Sequence, residues 1–223
     1  GNGTLPEAYA VRHKDFSVVR ESTSGAVFTA LSDTILENGG TVYGAAYDAD
    51  FAVHHICVET VDDLRWLRGA KYSQSNLNTC FRNVRKRLNQ GQKVLFSGTP
   101  CQVAGLKTFL RKDYENLLTV DFVCHSIPSP EIWKAYVHFR ADQDNGGKMP
   151  VSINLRSKES GWSRYQYENL FRYNERTYSQ SSGSSLYMKL FVGGFISRES
   201  CATCHFKGYH RVSDLTLGDF WGI

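Results

Sequence analysis

Apolar and polar positions change period several times along the chain, and each change predicts an element. Val27, Ala30, Leu31, Ile35 and Leu36 recur at helical spacing, and Gly39-Gly40 stops that helix. Ahead of it, residues 8–19 read as a short strand interrupted by a polar turn at 13–15. Residues 41–47 and 51–59 read as a hairpin around an aspartate-rich turn at 48–50, with one of His54 and His55 exposed and the other satisfied internally. Thr60 with Asp63 three residues on has the form of a capping box and opens a short helix through Leu67. Residues 79–89 are helical, with Phe81, Val84 and Leu88 inward and Arg82, Arg85, Lys86 and Arg87 outward as a solvated face. Cys57 and Cys80 fit as small buried hydrophobes.

The next stretch is the most informative. Residues 93–97 and 117–124 are apolar runs with β-branched and aromatic content, and one amphipathic helix lies between them. Thr99 is placed as its N-cap and Pro100 at the first helical position, with Ala104, Leu106, Phe109 and Leu110 as the buried stripe. Strand, helix and strand of this length form a right-handed crossover between parallel strands, so both strands end at one sheet edge. Cys101 and Cys124 are thereby placed near each other, at the edge where open α/β sheets hold ligands. Cys101 falls in the first helical turn, where the helix dipole favours thiolate.

Pro128-Ser129-Pro130 then opens a helix with Ile132, Trp133, Tyr136, Val137 and Phe139 inside, ending before Asn145-Gly146-Gly147. Beyond that break, residues 151–156, 165–173 and 176–181 alternate as antiparallel strands do. Residues 186–191 read as a short helix, and Asp214, Leu215, Leu217 and Asp219 as a strand returning to the core. The fold class is therefore α/β, mixed with α+β: a central, largely parallel sheet with flanking helices, plus an antiparallel, β-rich second part. Residues 1–145 form the α/β core and 146–223 the second part, packed on the same core.

Composition narrows the picture. The 223 residues, 41% hydrophobic, suffice for one sizeable core, and a net charge of +4 is mild, though it would suit an acidic protein donor. Trp162, Arg164, Tyr165, Tyr167, Phe171 and Arg172 mix aromatics with cations, but a half-buried sheet gives that pattern without nucleic acid, and none is read as a partner. No apolar run approaches the roughly 20 residues that span a bilayer. Six cysteines in a chain of this size indicate a reducing, cytoplasmic setting with metal or redox use.

Candidate chemistry centres on those cysteines. Cys201-Ala202-Thr203-Cys204 alone fits a thiol–disulfide reductase, half a zinc site or half an iron–sulfur site. Joined by Cys101 and Cys124 it gives four thiolates, a ligand set that serves a four-iron four-sulfur cluster and structural zinc equally well. His125, beside Cys124, would tune a potential, relay a proton or serve as a structural donor. Ser22, Thr23, Ser24 and Gly25 at a helix N-terminus make either an ordinary cap or a phosphate cradle.

SGTPCQVAGLKTFL followed by ENLLTVDFVCHSIPSPEIW resembles the coenzyme F420 hydrogenase/dehydrogenase beta-subunit family, iron–sulfur flavoproteins. The likeness extends to STSGAVFTAL at 22–31, LRGAKYSQS at 67–75 and the closing SCATCHFKGYHRVSDLTLGDFWGI. Ala26 departs from it where a second glycine is usual, and Ser126 where glycine follows the histidine. The resemblance implies an oxidoreductase with FAD or another flavin and a four-iron four-sulfur cluster on Cys101, Cys124, Cys201 and Cys204. It implies that flavin lies between the Ser22, Thr23, Ser24 and Gly25 loop, the Lys71, Tyr72, Gln74 and Ser75 loop, and the Ser97, Gly98, Thr99 and Pro100 turn. Lys71 would hold the anionic edge of the reduced ring and Tyr72 would stack on it, with Lys71 and His125 as the catalytic candidates. It further implies a ferredoxin-like domain or protein as electron partner and a small redox-active substrate, the family name invoking a deazaflavin. Relatives commonly carry that domain ahead of this region and run on past DFWGI, so the chain reads as an excerpt.

Overall fold

The computed structural model describes residues 6–163, 167–208 and 211–221. A five-stranded sheet forms its centre, in the order β2-β1-β3-β4-β8. Strands β1 (Thr41–Tyr47) and β2 (Val53–Val58) are the antiparallel hairpin expected from the aspartate turn, where the Asp48 carboxylate accepts from the Asp50 and Ala52 N–H groups. Strands β3 (Val94–Ser97) and β4 (Leu117–Phe122) run parallel to β1, joined by helix α4 (Pro100–Leu110). The crossover expected from the sequence is therefore present. Strand β8 (Leu215–Leu217), from the far end of the chain, pairs parallel with β4. Asp214 fastens it there: its carboxylate accepts from the N–H and hydroxyl of Thr119, both at 2.7 Å.

Both faces of this sheet are covered, which is why β3 reads as an uninterrupted apolar run. Val94 and Phe96 meet α3 (Cys80–Asn89) and α4, through Val84, Leu88, Val103 and Leu106. Leu95, between them, points the other way, into a cluster with Leu36 of α2 (Val27–Glu37), Leu64 and Val120. A third cluster lies between α5 (Pro130–Asn145), α6 (Leu186–Val192) and a separate antiparallel sheet of β5 (Ser152–Ser157), β6 (Glu168–Arg172) and β7 (Thr177–Ser181). Trp133, Tyr136 and Tyr187 are buried there, and the Trp133 indole N–H donates to the Phe51 carbonyl at 2.8 Å.

Several expectations are corrected. Residues 8–15 form no strand, and a short helix, α1 (Phe16–Glu21), follows them, capped by the Asp15 carboxylate accepting from the Ser17 N–H at 2.8 Å. In α4 the buried positions are Pro100, Val103, Leu106 and Leu110, with Ala104 and Phe109 only half-buried. In α5, Ile132 and Phe139 are exposed, because the buried arc runs through Trp133, Tyr136, Val137 and Ala141. Arg164 and Tyr165 lie outside the described residues. Among the described residues, no helix is long and apolar enough to cross a membrane.

Candidate functional site at the carboxyl edge of the parallel sheet

Helices α2 and α4 both begin at the edge where the parallel strands end, one on each face. Thr99 opens α4 with a reciprocal capping box, its backbone N–H donating to Gln102 Oε1 at 2.9 Å. The turn before it is tight: a Cβ on Gly98 would stand 3.0 Å from Gln102 Oε1 and from the Phe96 ring. Cys101 follows, exposed, with its Sγ 3.1 Å from Thr99 Oγ1.

The other three cysteines are brought to this edge by the chain that leaves β4. Cys124, two residues past the strand, points its thiol toward the Ser126 carbonyl at 3.9 Å. The residue pair Pro128 and Ser197 forms an antiparallel bridge, the Ser197 hydroxyl pairs with that of Ser126 at 2.6 Å, and the Arg198 N–H donates to the Ile127 carbonyl at 3.1 Å. Arg198 starts the single turn α7 (Glu199–Ala202), which holds Cys201, and Cys204 follows it. The consequence is electrostatic. Burial first, and then Cys101, Cys201 and Cys204, push the Cys124 thiol up to about 12, with Lys207 opposing. All four predicted cysteines therefore stand within electrostatic reach of one centre. Among the described residues, no group of three or more histidine, cysteine, aspartate or glutamate side chains is arranged to hold a metal ion. A four-iron cluster is itself several ångströms across and holds its thiolates farther apart than one zinc ion does.

The predicted flavin segments lie around the same edge. Ser22 is buried and its hydroxyl pairs with that of Thr29 at 3.2 Å, while the Ser24 carbonyl accepts from Lys158 Nζ at 2.6 Å. Residues 11–13 cross directly over Gly25, where a Cβ would meet the Val11 carbonyl oxygen at 2.8 Å. Ala26 is the N-cap of α2, in the left-handed region at φ 62°, with no side-chain capping bond. That conformation costs an L-residue about 1–2 kcal/mol, which gives a physical reason for glycine at this position.

Lys71 is half-buried and donates to three carbonyls, of Trp66, Leu67 and Arg68, at 2.7–3.1 Å. Burial pulls its pKa down to about 7, against those carbonyls, which favour the ammonium. Tyr72 packs on Phe191 with centroids 4.9 Å apart, and burial raises its phenol to about 12. Gln74 accepts from the Arg198 guanidinium, so the loop and the CxxC arm are tied together. Ser75 pairs with His55 Nδ1 at 2.6 Å, and His55 Nε2 reaches the Ser97 carbonyl at 2.9 Å. An open cavity of about 440 Å³ lies between this loop, α4 and the start of α5, lined by Gln74, Ser75, Asn76, Gln102 and Pro130 among others.

Residues 91–222 match the family described as the C terminus of the coenzyme F420 hydrogenase/dehydrogenase beta subunit. That span holds all four clustered cysteines and covers more than half of the sequence. The chain belongs to this family. Among solved structures, a chain of the F420-reducing [NiFe] hydrogenase complex from Methanosarcina barkeri is similar in fold, with a TM-score of 0.56 at 16% identity. The match covers 86% of this chain and 63% of that one, so the present chain spans less than two thirds of that neighbour. No curated protein matches it.

Sequence reasoning missed several groups that shape the site of this F420 hydrogenase/dehydrogenase beta-subunit domain. Asp121 on β4 is wholly buried with neither carboxylate oxygen hydrogen-bonded, and Arg211 Nη1 stands 4.0 Å away. The closing Asp219-Phe220-Trp221 lands on the second sheet, where Asp219 pairs with Arg156 at 2.8 Å and Trp221 stacks on Trp162 at 5.3 Å. Gln102 carried a signal, as the fourth residue of the Thr-Pro-Cys-Gln capping box; Asp121 and Arg156 sit in strands that read as ordinary sheet. His125 is exposed, its ring edge-on to Phe191 at 5.2 Å.

Proposed function

We propose that the chain is an oxidoreductase module that passes electrons between a flavin, a four-iron four-sulfur cluster and a redox partner. The observation that carries this reading is the surroundings of Cys124, whose thiol is raised first by burial and then by Cys101, Cys201 and Cys204, which all act on it. Metal ligands must be thiolates, and a cationic centre among the four cysteines would favour the ionised form of Cys124 that its surroundings disfavour. Cys101, Cys124, Cys201 and Cys204 would hold the cluster. Ser22, Thr23, Ser24 and Gly25, with Lys71, Tyr72, Gln74 and Ser75, and Ser97, Gly98, Thr99 and Pro100, would hold the flavin, FAD in the first instance. When bound, the flavin supplies two-electron exchange with an organic partner and the cluster one-electron exchange.

The chain's own residues then have definite tasks. Thr99 orients Cys101 through the contact between its hydroxyl and the thiol. The free N–H groups opening α2 favour a phosphate, with the Lys158 ammonium alongside to offset its charge. Lys71 holds positive charge near the ring, and His125, open to solvent, gives and takes a proton at the mouth of the site. The Asp121 oxygens are buried without a hydrogen bond, and a bound group at this edge would supply the donor they lack. A ferredoxin-like domain or protein fits as the electron partner, since Arg82, Arg85 and Lys86 present cations on the outer side of α3. A small redox-active molecule, a deazaflavin among the choices, fits as the substrate.

The test is an anaerobic absorbance spectrum of the purified chain, followed by denaturation and flavin assay. Broad charge-transfer absorption that bleaches with dithionite, with flavin released on denaturation, is the expected result. A colourless chain that holds zinc and takes up no flavin overturns the reading and leaves the cysteines as a structural staple.

A further inference from the structure

The cavity beside α4 has a hydrogen-bonding polarity that can be worked out group by group. His55 is buried, stacked on Phe96 at 5.3 Å, and lies between Ser75 and Ser97. The Ser97 carbonyl can only accept, so His55 Nε2 carries the hydrogen. Burial keeps the ring neutral, lowering its pKa to about 4, and Nδ1 is therefore an acceptor. The single hydrogen of the Ser75 hydroxyl is then used on Nδ1 at 2.6 Å. What Ser75 presents to the cavity it lines is a lone pair.

Three of the four carboxamides around it, those of Gln74, Gln102 and Asn76, are fixed in the opposite sense. Gln74 Oε1 accepts from Arg198, Gln102 Oε1 from the Thr99 N–H at 2.9 Å, and Asn76 Oδ1 from the Asn78 N–H at 3.0 Å. Each oxygen is engaged, so each NH2 remains to donate. Besides the carboxamide of Asn78, the cavity wall thus offers the Ser75 acceptor together with three amide donors, and no ionisable side chain is among the described residues that line it. The complement of that pattern is carbonyl, N–H, carbonyl, the imide edge of a pyrimidinedione ring.

We propose that this cavity reads the imide edge of a planar redox heterocycle, with Ser75 Oγ accepting from the ring N3–H and the Gln74, Gln102 and Asn76 amides donating to its two carbonyls. The inference deepens the flavin reading above and rests on it. A volume of about 440 Å³ suits the ring end of a flavin better than the whole dinucleotide. Gln102 directly follows Cys101, so the ring edge would lie one residue from a cluster ligand. His55 is then a positioning residue: it touches no ligand but sets which way the Ser75 hydroxyl points. Flavins and deazaflavins share this edge.

Equilibrium binding of FAD, N3-methyl-FAD and a 5-deazaflavin to the purified chain, followed by fluorescence, tests it. Methylation removes the N–H and leaves the buried Ser75 lone pair facing a methyl group, so affinity falls roughly tenfold or more. In Ser75→Ala that discrimination disappears. Competition by the 5-deazaflavin equal to that of FAD assigns the cavity to the shared edge of either ring, and binding of FAD alone assigns it to flavin. Equal affinity of the wild-type chain for FAD and N3-methyl-FAD overturns the imide assignment while leaving the flavin reading intact. A chain that binds none of the three overturns both. The methylated ligand is read on the wild-type chain, so the outcome stands even if Ser75→Ala fails to fold.

Discussion

The hydroxyls of Ser126 and Ser197 meet at 2.6 Å, and this contact joins the exit of β4 to the arm that carries Cys201 and Cys204. Ser126 is buried, so removing its partner leaves a polar group unsatisfied at a cost of about 1–3 kcal/mol. Ser197→Ala is expected to lower the unfolding free energy by about 1 kcal/mol in urea titration and to speed iron release to a chelator from the reconstituted protein. Ser197→Thr, which keeps the hydroxyl, should restore both.

His55 gives the chain an acid-sensitive fold. Its pKa is about 4 in the folded protein against 6.5 for a free histidine, so the fold prefers the neutral ring. The stability it contributes is complete above pH 6.5 and is lost as pH falls from there through 4. Urea unfolding at pH 4.5 and 7 should show an acid loss in the wild type about 2 kcal/mol larger than in His55→Gln. Equal losses in the two proteins would assign the acid sensitivity to other groups.

Lys71 separates a structural from an electrostatic role. Its three carbonyl bonds close the turn Asp62–Trp66, and Lys71→Met is expected to destabilise the chain by about 1–3 kcal/mol in urea titration. If its charge also acts on the ring, the flavin potential of the bound variant shifts negative. An unchanged potential confines Lys71 to holding the turn.

Gly25 allows the residues before α1 to cross over the start of α2. A Cβ there would press on the Val11 carbonyl oxygen at 2.8 Å and on Arg12 Cα at 3.2 Å, both backbone atoms. Gly25→Ala should release that segment, and limited trypsin digestion should cut after Arg12 and Lys14 faster than in the wild type. Unchanged cleavage would show that the crossing does not depend on the glycine.

The crossover and its edge were legible because their causes are local. An apolar run, a Thr-Pro cap and a second apolar run leave little freedom in how residues 93–124 fold, and the placing of Cys101 and Cys124 follows from the parallel pairing. Residues 8–19 misled because Val11 and Phe16 suggest a strand, although they remain 61% and 58% exposed and the operative signal was the Asp15 cap. In α5 the aromatic content hid a narrower buried arc, leaving Phe139 against Tyr136 at the surface. The CxxC arm reaches Cys124 through Ser197, Ser126 and Arg198, and no spacing in the sequence reports contacts across that distance. The polarity of the Ser75 cavity was hidden for the same reason, since it depends on which acceptor each amide oxygen has already satisfied.

Whether the four cysteines hold an iron–sulfur cluster is decided by counting iron and acid-labile sulfide per chain after anaerobic reconstitution, in the wild type and in Cys101→Ser, Cys124→Ser, Cys201→Ser and Cys204→Ser. A cluster on these ligands gives about four of each in the wild type and a clear loss in every variant. Wild-type chains that bind zinc without sulfide, or variants that keep the full complement, would contradict the assignment.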